Sequence, residues 1–257
     1  MEVTVLDYGL KGKNVLVTGS TKGLGEAVVR VLAGEGANVI ISGRSADLVK
    51  SLAEEVEKEY GVKAAGIVAD LGKRGVAPQL FEDSLKALGG LDILVNNAGI
   101  WPTAYVRDMA LEDFDQTLYM NLEVPFLLSK MMVNHLIEND KKGKIIQVVS
   151  QAAFHGSTTG HAHYASSKAG LVTFSKSLAR EVAGYGINVN SVAPGMMETP
   201  MVKDALEKKR DYYNSRIPIG RVATAEEVAY CVAFLASNKA DYLTGITLDA
   251  TGGMLMH

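Results

Sequence analysis

Short apolar runs alternate with longer segments of helical period along nearly the whole chain. Seven runs read as buried strands: "NVLVTG" (14–19), "NVIIS" (38–42), "AAGIVAD" (64–70), "DILVNNA" (92–98), "KIIQVVS" (144–150), "INVNSVA" (187–193) and "GITLDA" (245–250). Between the first two, Leu24, Ala27, Val28, Val31 and Leu32 recur at helical spacing, and Gly34 and Gly36 stop the helix. Between the second and third, Leu48, Val49, Leu52, Ala53 and Val56 form one stripe, while Lys50, Glu54, Glu55, Glu57 and Lys58 face away. This alternation predicts an α/β fold, a doubly wound parallel sheet of seven strands with helices on both faces. Ligands of such sheets bind beyond the carboxyl ends of the strands, where the winding direction reverses.

The composition narrows the class. With 257 residues, 47% of them hydrophobic, a net charge of -3, 26 glycines and 6 prolines, the chain reads as a soluble globular protein with a large core. No linker, charge run or repeat divides it, so residues 1–257 are expected to form one domain. The weak negative charge argues against nucleic acid, which requires clustered Lys and Arg. Cys231 is the only cysteine, so no intrachain disulfide can form, and its apolar setting "AYCVAFLA" predicts a buried structural thiol. The start "MEVTVLDYGLKGK" lacks the pattern of a signal peptide, and no apolar run approaches the roughly 18 residues of a membrane span, so a cytoplasmic location is expected.

The first strand runs into "TGSTKGLG" (18–25) and then a helix. Gly19 suits the tight turn, Gly23 a close approach of backbone to ligand, and Gly25 close helix packing, while free N–H groups at the helix start suit a pyrophosphate. Gly19, Ser20, Thr21, Lys22, Gly23, Leu24 and Gly25 are therefore expected to bind a dinucleotide, with a purely structural turn as the alternative. An NAD site usually places an acid at the end of the second strand, but here "ISGRS" presents Arg44. Arg44 and Lys22 together suggest the 2′-phosphate of NADP(H); as solvated surface charges they would leave NAD(H) open. Asp70 is placed to accept from the adenine amine, with Leu71 beside it, although Asp70 could equally cap a turn.

The ordered set "TGSTKGLG", "NNAG" (96–99), Asn121 in "YMNLEVPF", Ser150 ending "IIQVVS", "YASSK" (164–168) and "PGMMET" (194–199) resembles the short-chain dehydrogenase/reductase family. The likeness covers almost the whole chain and is similar in flavour to 3-oxoacyl-carrier-protein reductases and bacterial sugar or polyol dehydrogenases. The resemblance implies a single Rossmann-like domain, assembly as a homotetramer or homodimer, and a small carbonyl or alcohol substrate. On a helix, Tyr164 and Lys168 share a face one turn apart, and a nearby ammonium favours the phenolate. Tyr164 would then donate or accept the reaction's proton. By resemblance, Lys168 also holds the nicotinamide ribose.

Ser150 could hydrogen-bond the reacting oxygen, or merely end its strand. Its spacing to Tyr164 is one residue longer than the commonest family pattern, which suggests an insertion within "GSTTGHAH". Asn121 resembles the family's helix-distorting asparagine that links Lys168 through water to solvent; a helix cap is its alternative. Asn97, Ala98 and Gly99 would bring backbone close to the adenosine and ribose. Pro194 and Gly195 would wall the nicotinamide, with Met197 nearby, and Thr199 could bind its carboxamide, although Thr199-Pro200 could also simply open a helix.

His155, His161 and His163 lie in one segment without an acidic or thiol ligand, so they are expected to line the substrate cleft rather than hold a metal. Trp101, Met196 and Met197 could supply apolar walls or fill the core. "KDALEKKRDYYNS" (203–215) reads as a solvated helix, or by resemblance as part of a mobile substrate lid over roughly 196–216. The leading expectation is an NADP(H)-dependent oxidoreductase interconverting a ketone and a secondary alcohol. An NAD(H)-dependent sugar or polyol dehydrogenase and a cofactor-binding regulator without turnover are the alternatives. No motif in the specificity loops identifies the substrate.

Overall fold

The computed structural model describes residues 7–157 and 159–256. Residues 1–6, on which the amino-terminal reading partly rests, and Thr158 of the "GSTTGHAH" segment lie outside the described residues. The strands are β1 Asn14–Val17, β2 Asn38–Gly43, β3 Ala64–Val68, β4 Ile93–Asn96, β5 Gly143–Val148, β6 Ile187–Pro194 and β7 Thr247–Ala250. Each falls inside or within one residue of a run expected above, and several end earlier because the last residues turn toward the carboxyl edge of the sheet. The helices are α1 Gly23–Gly34, α2 Ala46–Tyr60, α3 Val76–Leu88, α4 Leu111–Leu118, α5 Val124–Glu138, α6 Ala152–His155, α7 Ala162–Val182, α8 Lys203–Arg216 and α9 Ala225–Ala236.

All strand pairs are parallel, in the order β3-β2-β1-β4-β5-β6-β7. The winding therefore reverses between β1 and β4. Register places Leu16 beside Ile40 and Leu94, and Leu94 beside Ile145, so one row of side chains points to one face. That row packs with α3, α5 and α7 through Phe81, Met132 and Val182. The alternate row, including Val15, Val17, Val39, Val95 and Ile146, packs with α1, α2 and α9 through Leu32, Val56 and Val232. Apolar side chains on both faces of a strand are what a two-sided helical cover requires.

Helix ends follow local chemistry. Ser45 caps α2 by accepting from the N–H of Leu48, and Thr224 and Glu227 form a reciprocal capping box at the start of α9. Two expectations change. Leu48 is 50% exposed, because it sits in the first turn of α2 on the flank of the face formed by Val49, Leu52, Ala53 and Val56. Cys231 is half-buried rather than buried, with Sγ against the Glu227 carbonyl at 3.7 Å. No described helix is long and apolar enough to cross a membrane.

Candidate active site

At the winding reversal, the turns after β1 and β4 are stitched together. Thr18 Oγ1 accepts from the N–H groups of Asn97 and Ala98, each at 3.0 Å. Asn97 Nδ2 returns bonds to the carbonyls of Thr18 at 2.9 Å and Gly19 at 3.0 Å. Gly19 holds φ +61°, and a Cβ there would lie 2.9 Å from Ala98 Cα, so no side chain fits. A Cβ on Gly25 would lie 2.4 Å from the Gly19 carbonyl oxygen, which is how α1 comes to start directly against the turn.

Lys22, extended at the position before α1, and Arg44, just past β2, are both exposed. Among the described residues neither has a carboxylate within 4.0 Å. Ser20 departs from its expected role. It is fully buried, its Oγ donating to the Val17 carbonyl at 2.8 Å and accepting from the Ser42 N–H at 2.9 Å, so it braces β1 against β2 instead of facing a ligand. Asp70 accepts from the Gly72 N–H at 3.3 Å, the turn-capping bond, with Lys73 at 3.9 Å.

Across the reversal, β5 ends at Val148 and delivers Ser150 to the sheet edge, where it and Tyr164 of α7 line the same cavity. Lys168, one turn further along α7 and 4% exposed, donates from Nζ to the Val148 carbonyl at 2.7 Å. Its Nζ lies 5.9 Å from the Tyr164 ring centre. Burial sets both titrations. It lowers Lys168 to about 8, and it raises the Tyr164 phenol against the opposing Ser150 hydrogen bond. The expected lowering of the phenol by the ammonium is not seen, because burial dominates and raises it.

Asn121 sits in a one-turn π-helix, Tyr119–Glu123, between α4 and α5. Its Oδ1 accepts from the Ile100 N–H at 2.9 Å, and its Nδ2 donates to the Ile100 carbonyl at 3.0 Å and to Ser167 Oγ at 3.2 Å. Ser167 in turn donates to the Tyr164 carbonyl at 2.7 Å. The side chain therefore ties the segment after β4 to α7 and caps no helix. Gly99 makes this convergence possible, since a Cβ there would lie 3.0 Å from Asn121 Oδ1 and 3.6 Å from Lys168 Nζ.

These groups surround one cavity of about 870 Å³ along the carboxyl edge of the sheet. Every cofactor residue expected from the sequence lines it except Ser20, and Ser150, Tyr164 and Lys168 lie on its wall; Asn121 stands behind it. A second cavity of about 600 Å³ lies at the opposite edge, beside Lys144 and Asp241, and contains none of the expected residues.

The three histidines separate. His155 and His161 line the main cavity. His161 stacks on Trp101 with ring centres 4.2 Å apart, and its Nδ1 donates to the Pro102 carbonyl at 2.8 Å. His163, expected in the cleft, is instead fully buried outside the cavity, because α7 turns it away from the face of Tyr164. Neither of its ring nitrogens has a hydrogen-bond partner among the described residues, and burial lowers its pKa. Among the described residues no group of three or more His, Cys, Asp or Glu could hold a metal ion.

The segment expected as a lid supplies part of the wall. Lys209, Tyr212, Tyr213 and Arg216 of α8 also line the cavity. Their spacing of three, four and seven residues marked one helix face in advance, and the high charge of the segment hid it.

Known proteins resemble this chain over nearly its whole length. The family model described as Enoyl-(Acyl carrier protein) reductase matches residues 19–255. The 3-oxoacyl-[acyl-carrier-protein] reductase of Aquifex aeolicus is 40% identical over 249 residues, covering 97% of this chain and 100% of that protein. The Escherichia coli reductase of the same name is 39% identical, covering 96% and 98%. The Thermotoga maritima protein is 38% identical, covering 96% and 99%.

Proposed function

The chain belongs to the short-chain dehydrogenase/reductase family, and from that premise we propose that it is an NADP(H)-dependent oxidoreductase that interconverts a ketone and a secondary alcohol. The observation that carries the reading is the convergence of Ser150, Tyr164 and Lys168 on the wall of one cavity that the glycine-rich turn also lines. The residues fit the dinucleotide. Gly19 and Gly25 leave no room for side chains between turn and helix, and the start of α1 opens onto the cavity to meet a diphosphate. Lys22 and Arg44, without carboxylate partners among the described residues, would hold the 2′-phosphate, and no acid ends β2 to favour NAD(H).

When bound, the nicotinamide supplies or takes the hydride. The protein's own groups manage the proton and the carbonyl. Tyr164 hands its phenolic proton to the carbonyl oxygen in reduction and recovers it in oxidation. Ser150 donates to the same oxygen and stabilises its developing charge. Lys168 would hold the nicotinamide ribose and, by its positive charge, favour the phenolate once Tyr164 has given up its proton. Asn121 keeps the segment after β4 in register with α7 and supports a proton path from Lys168 toward solvent. The names of the relatives make 3-oxoacyl thioesters the first ketones to test. We read the chain as one domain of a cytoplasmic homotetramer or homodimer, which light scattering on the purified protein would check.

The test follows reduced-nicotinamide absorbance with a panel of ketones and both cofactors. Turnover with NADPH that falls at least about 100-fold in Tyr164→Phe, with NADPH affinity unchanged, supports the reading. Retention of most of kcat in that variant overturns the mechanism.

A further inference from the structure

The proposed reaction leaves the kind of ketone unspecified, and α8 supplies a criterion that rests on that reading. Lys209, Tyr212, Tyr213 and Arg216 share the helix face that lines the cavity. The helix breaks at Lys209, where φ is -143° and ψ is 31°, so the second half of α8 is set at its own angle to the cavity. Arg216 is oriented within that half: its guanidinium donates to the Tyr212 hydroxyl and lies over the Tyr212 ring, 5.3 Å from its centre. Tyr213, Met196 and Met254 each pack against the small core of Leu206, Ile217 and Val222, and Gln151, next to Ser150, donates to Met254 Sδ at 3.8 Å. Through Met254 and Gln151 this core links α8 to the strand end that carries Ser150.

The charge pairing is sorted by direction. Arg210 is neutralised by Glu198 at 2.6 Å, and Arg221, beyond the helix, by Glu227 at 2.5 Å. Neither Lys209 nor Arg216, both on the cavity, has a carboxylate within 4.0 Å among the described residues. Asp70 is the one acid among the described residues lining the cavity; it lies beyond β3, beside Lys73. A cleft lined by one sign of charge concentrates ligands of the other, and a guanidinium held by a neighbouring ring meets an oxyanion with little loss of side-chain freedom.

We propose that α8 selects substrates carrying an oxyanion, a carboxylate or a phosphate or sulfonate group of the same charge, with Arg216 as its principal contact and Lys209 as the second. The enzyme then acts on oxo acids and hydroxy acids in preference to neutral ketones and alcohols of equal size.

The test compares acetoacetate, 4-oxopentanoate and 5-oxohexanoate with their ethyl esters, which keep the reacting ketone and remove the charge. For at least one pair, kcat/KM is expected to favour the acid about tenfold or more, and the preference should shrink with added salt. Arg216→Gln should lower kcat/KM for that acid about 10- to 100-fold, leave the ester nearly unchanged and preserve the NADPH dissociation constant read by fluorescence. Calorimetry of the same pairs on the protein saturated with NADP⁺ reads the preference without turnover. Reduction of the esters at rates equal to or above those of the acids overturns the anion selectivity and leaves the oxidoreductase standing. Loss of NADPH affinity in Arg216→Gln, with the acid-to-ester ratio unmoved, assigns the guanidinium to the cofactor and overturns the proposal. Absence of turnover on every ketone overturns the function, and equal calorimetric binding of acids and esters would then overturn the selectivity as well.

Discussion

Lys168 offers a quantitative check on the catalytic pair. The perturbation is Lys168→Met, which keeps the length of the stem and removes the ammonium. Burial at 4% exposure lowers the lysine from 10.5 to about 8. A shift of that size corresponds to about 3 kcal/mol of preference for the neutral form in the folded chain. Between about pH 8 and 10.5, the unfolded lysine binds a proton that the folded one has released, so this residue's contribution to stability rises with pH across that window. The variant has no such group. Denaturant unfolding of both cofactor-free proteins at pH 7, 8, 9 and 10 should show the wild type gaining about 2–3 kcal/mol on the variant between pH 8 and 10, with little relative change below pH 7. The raised phenol of Tyr164 works in the opposite direction above pH 10, but both chains carry it. At pH 7, relief of the burial penalty opposes the loss of the Nζ bond to the Val148 carbonyl, about 1–3 kcal/mol, so the variant should be nearly as stable as the wild type while kcat collapses. A pH-independent difference between the two unfolding curves would refute the assignment of Lys168 as a buried, burial-depressed ammonium.

Other parts of the site give shorter tests. Arg44→Ala should raise the NADPH dissociation constant about tenfold and leave NADH nearly untouched, read by fluorescence titration; equal effects on both cofactors would remove the 2′-phosphate argument. In Gly25→Ala the new Cβ would meet the Gly19 carbonyl at 2.4 Å, so thermal unfolding should report a loss of about 1–3 kcal/mol, and cofactor affinity should fall with it. His163 is held neutral by burial, so as pH falls through the ordinary histidine range the unfolded chain takes up a proton the folded chain resists, and stability falls. Replacing it in His163→Leu should flatten that acid limb in denaturant titrations from pH 7 to 5; an unchanged limb would place the titration elsewhere.

The legibility of this chain differs between its layers. The seven strands and the crossover helices could be read because strands buried on both faces must be apolar throughout and helices covering them must be apolar on one side, as in Leu16, Ile40 and Leu94 against Val15, Val39 and Val95. The cavity lining could be read where a residue's type is forced by contact, as at Gly19 and Gly25. It failed at Ser20, which sits within the same motif but turns inward to brace Val17 and Ser42; a spacing pattern does not record which way a hydroxyl points. His163 failed for a related reason, since one residue along a helix rotates the side chain by about 100° and separates it from Tyr164. Arg216 closes the segment expected as a lid, and only the folded helix shows that it shares the cavity with Lys209 and Tyr212.

The additional residue between Ser150 and Tyr164 shows how the two layers are separated. Were it absorbed within β5 or α7, it would rotate one member of the pair off the cavity, yet Ser150 and Tyr164 both line it. The segment between α6 and α7 is where the sequence spacing suggests the insertion. There Gly160, at φ +79°, accepts at its carbonyl from the Ala104 N–H at 2.8 Å, and His161 donates to the Pro102 carbonyl. Those two bonds fasten the loop to the segment after β4, and the fastening brings the His161 ring onto Trp101 at the cavity wall. The loop before α7 thus shapes the wall for the incoming substrate through His161 and Trp101, while Ser150, Tyr164 and Lys168 are held by β5 and α7. The same division applies to α8, whose cavity face carries none of the groups proposed to move the proton. Substrate choice in this chain is therefore expected to follow His161, Trp101 and Arg216, and exchanging those side chains should change which ketones react before it changes how fast a good one does.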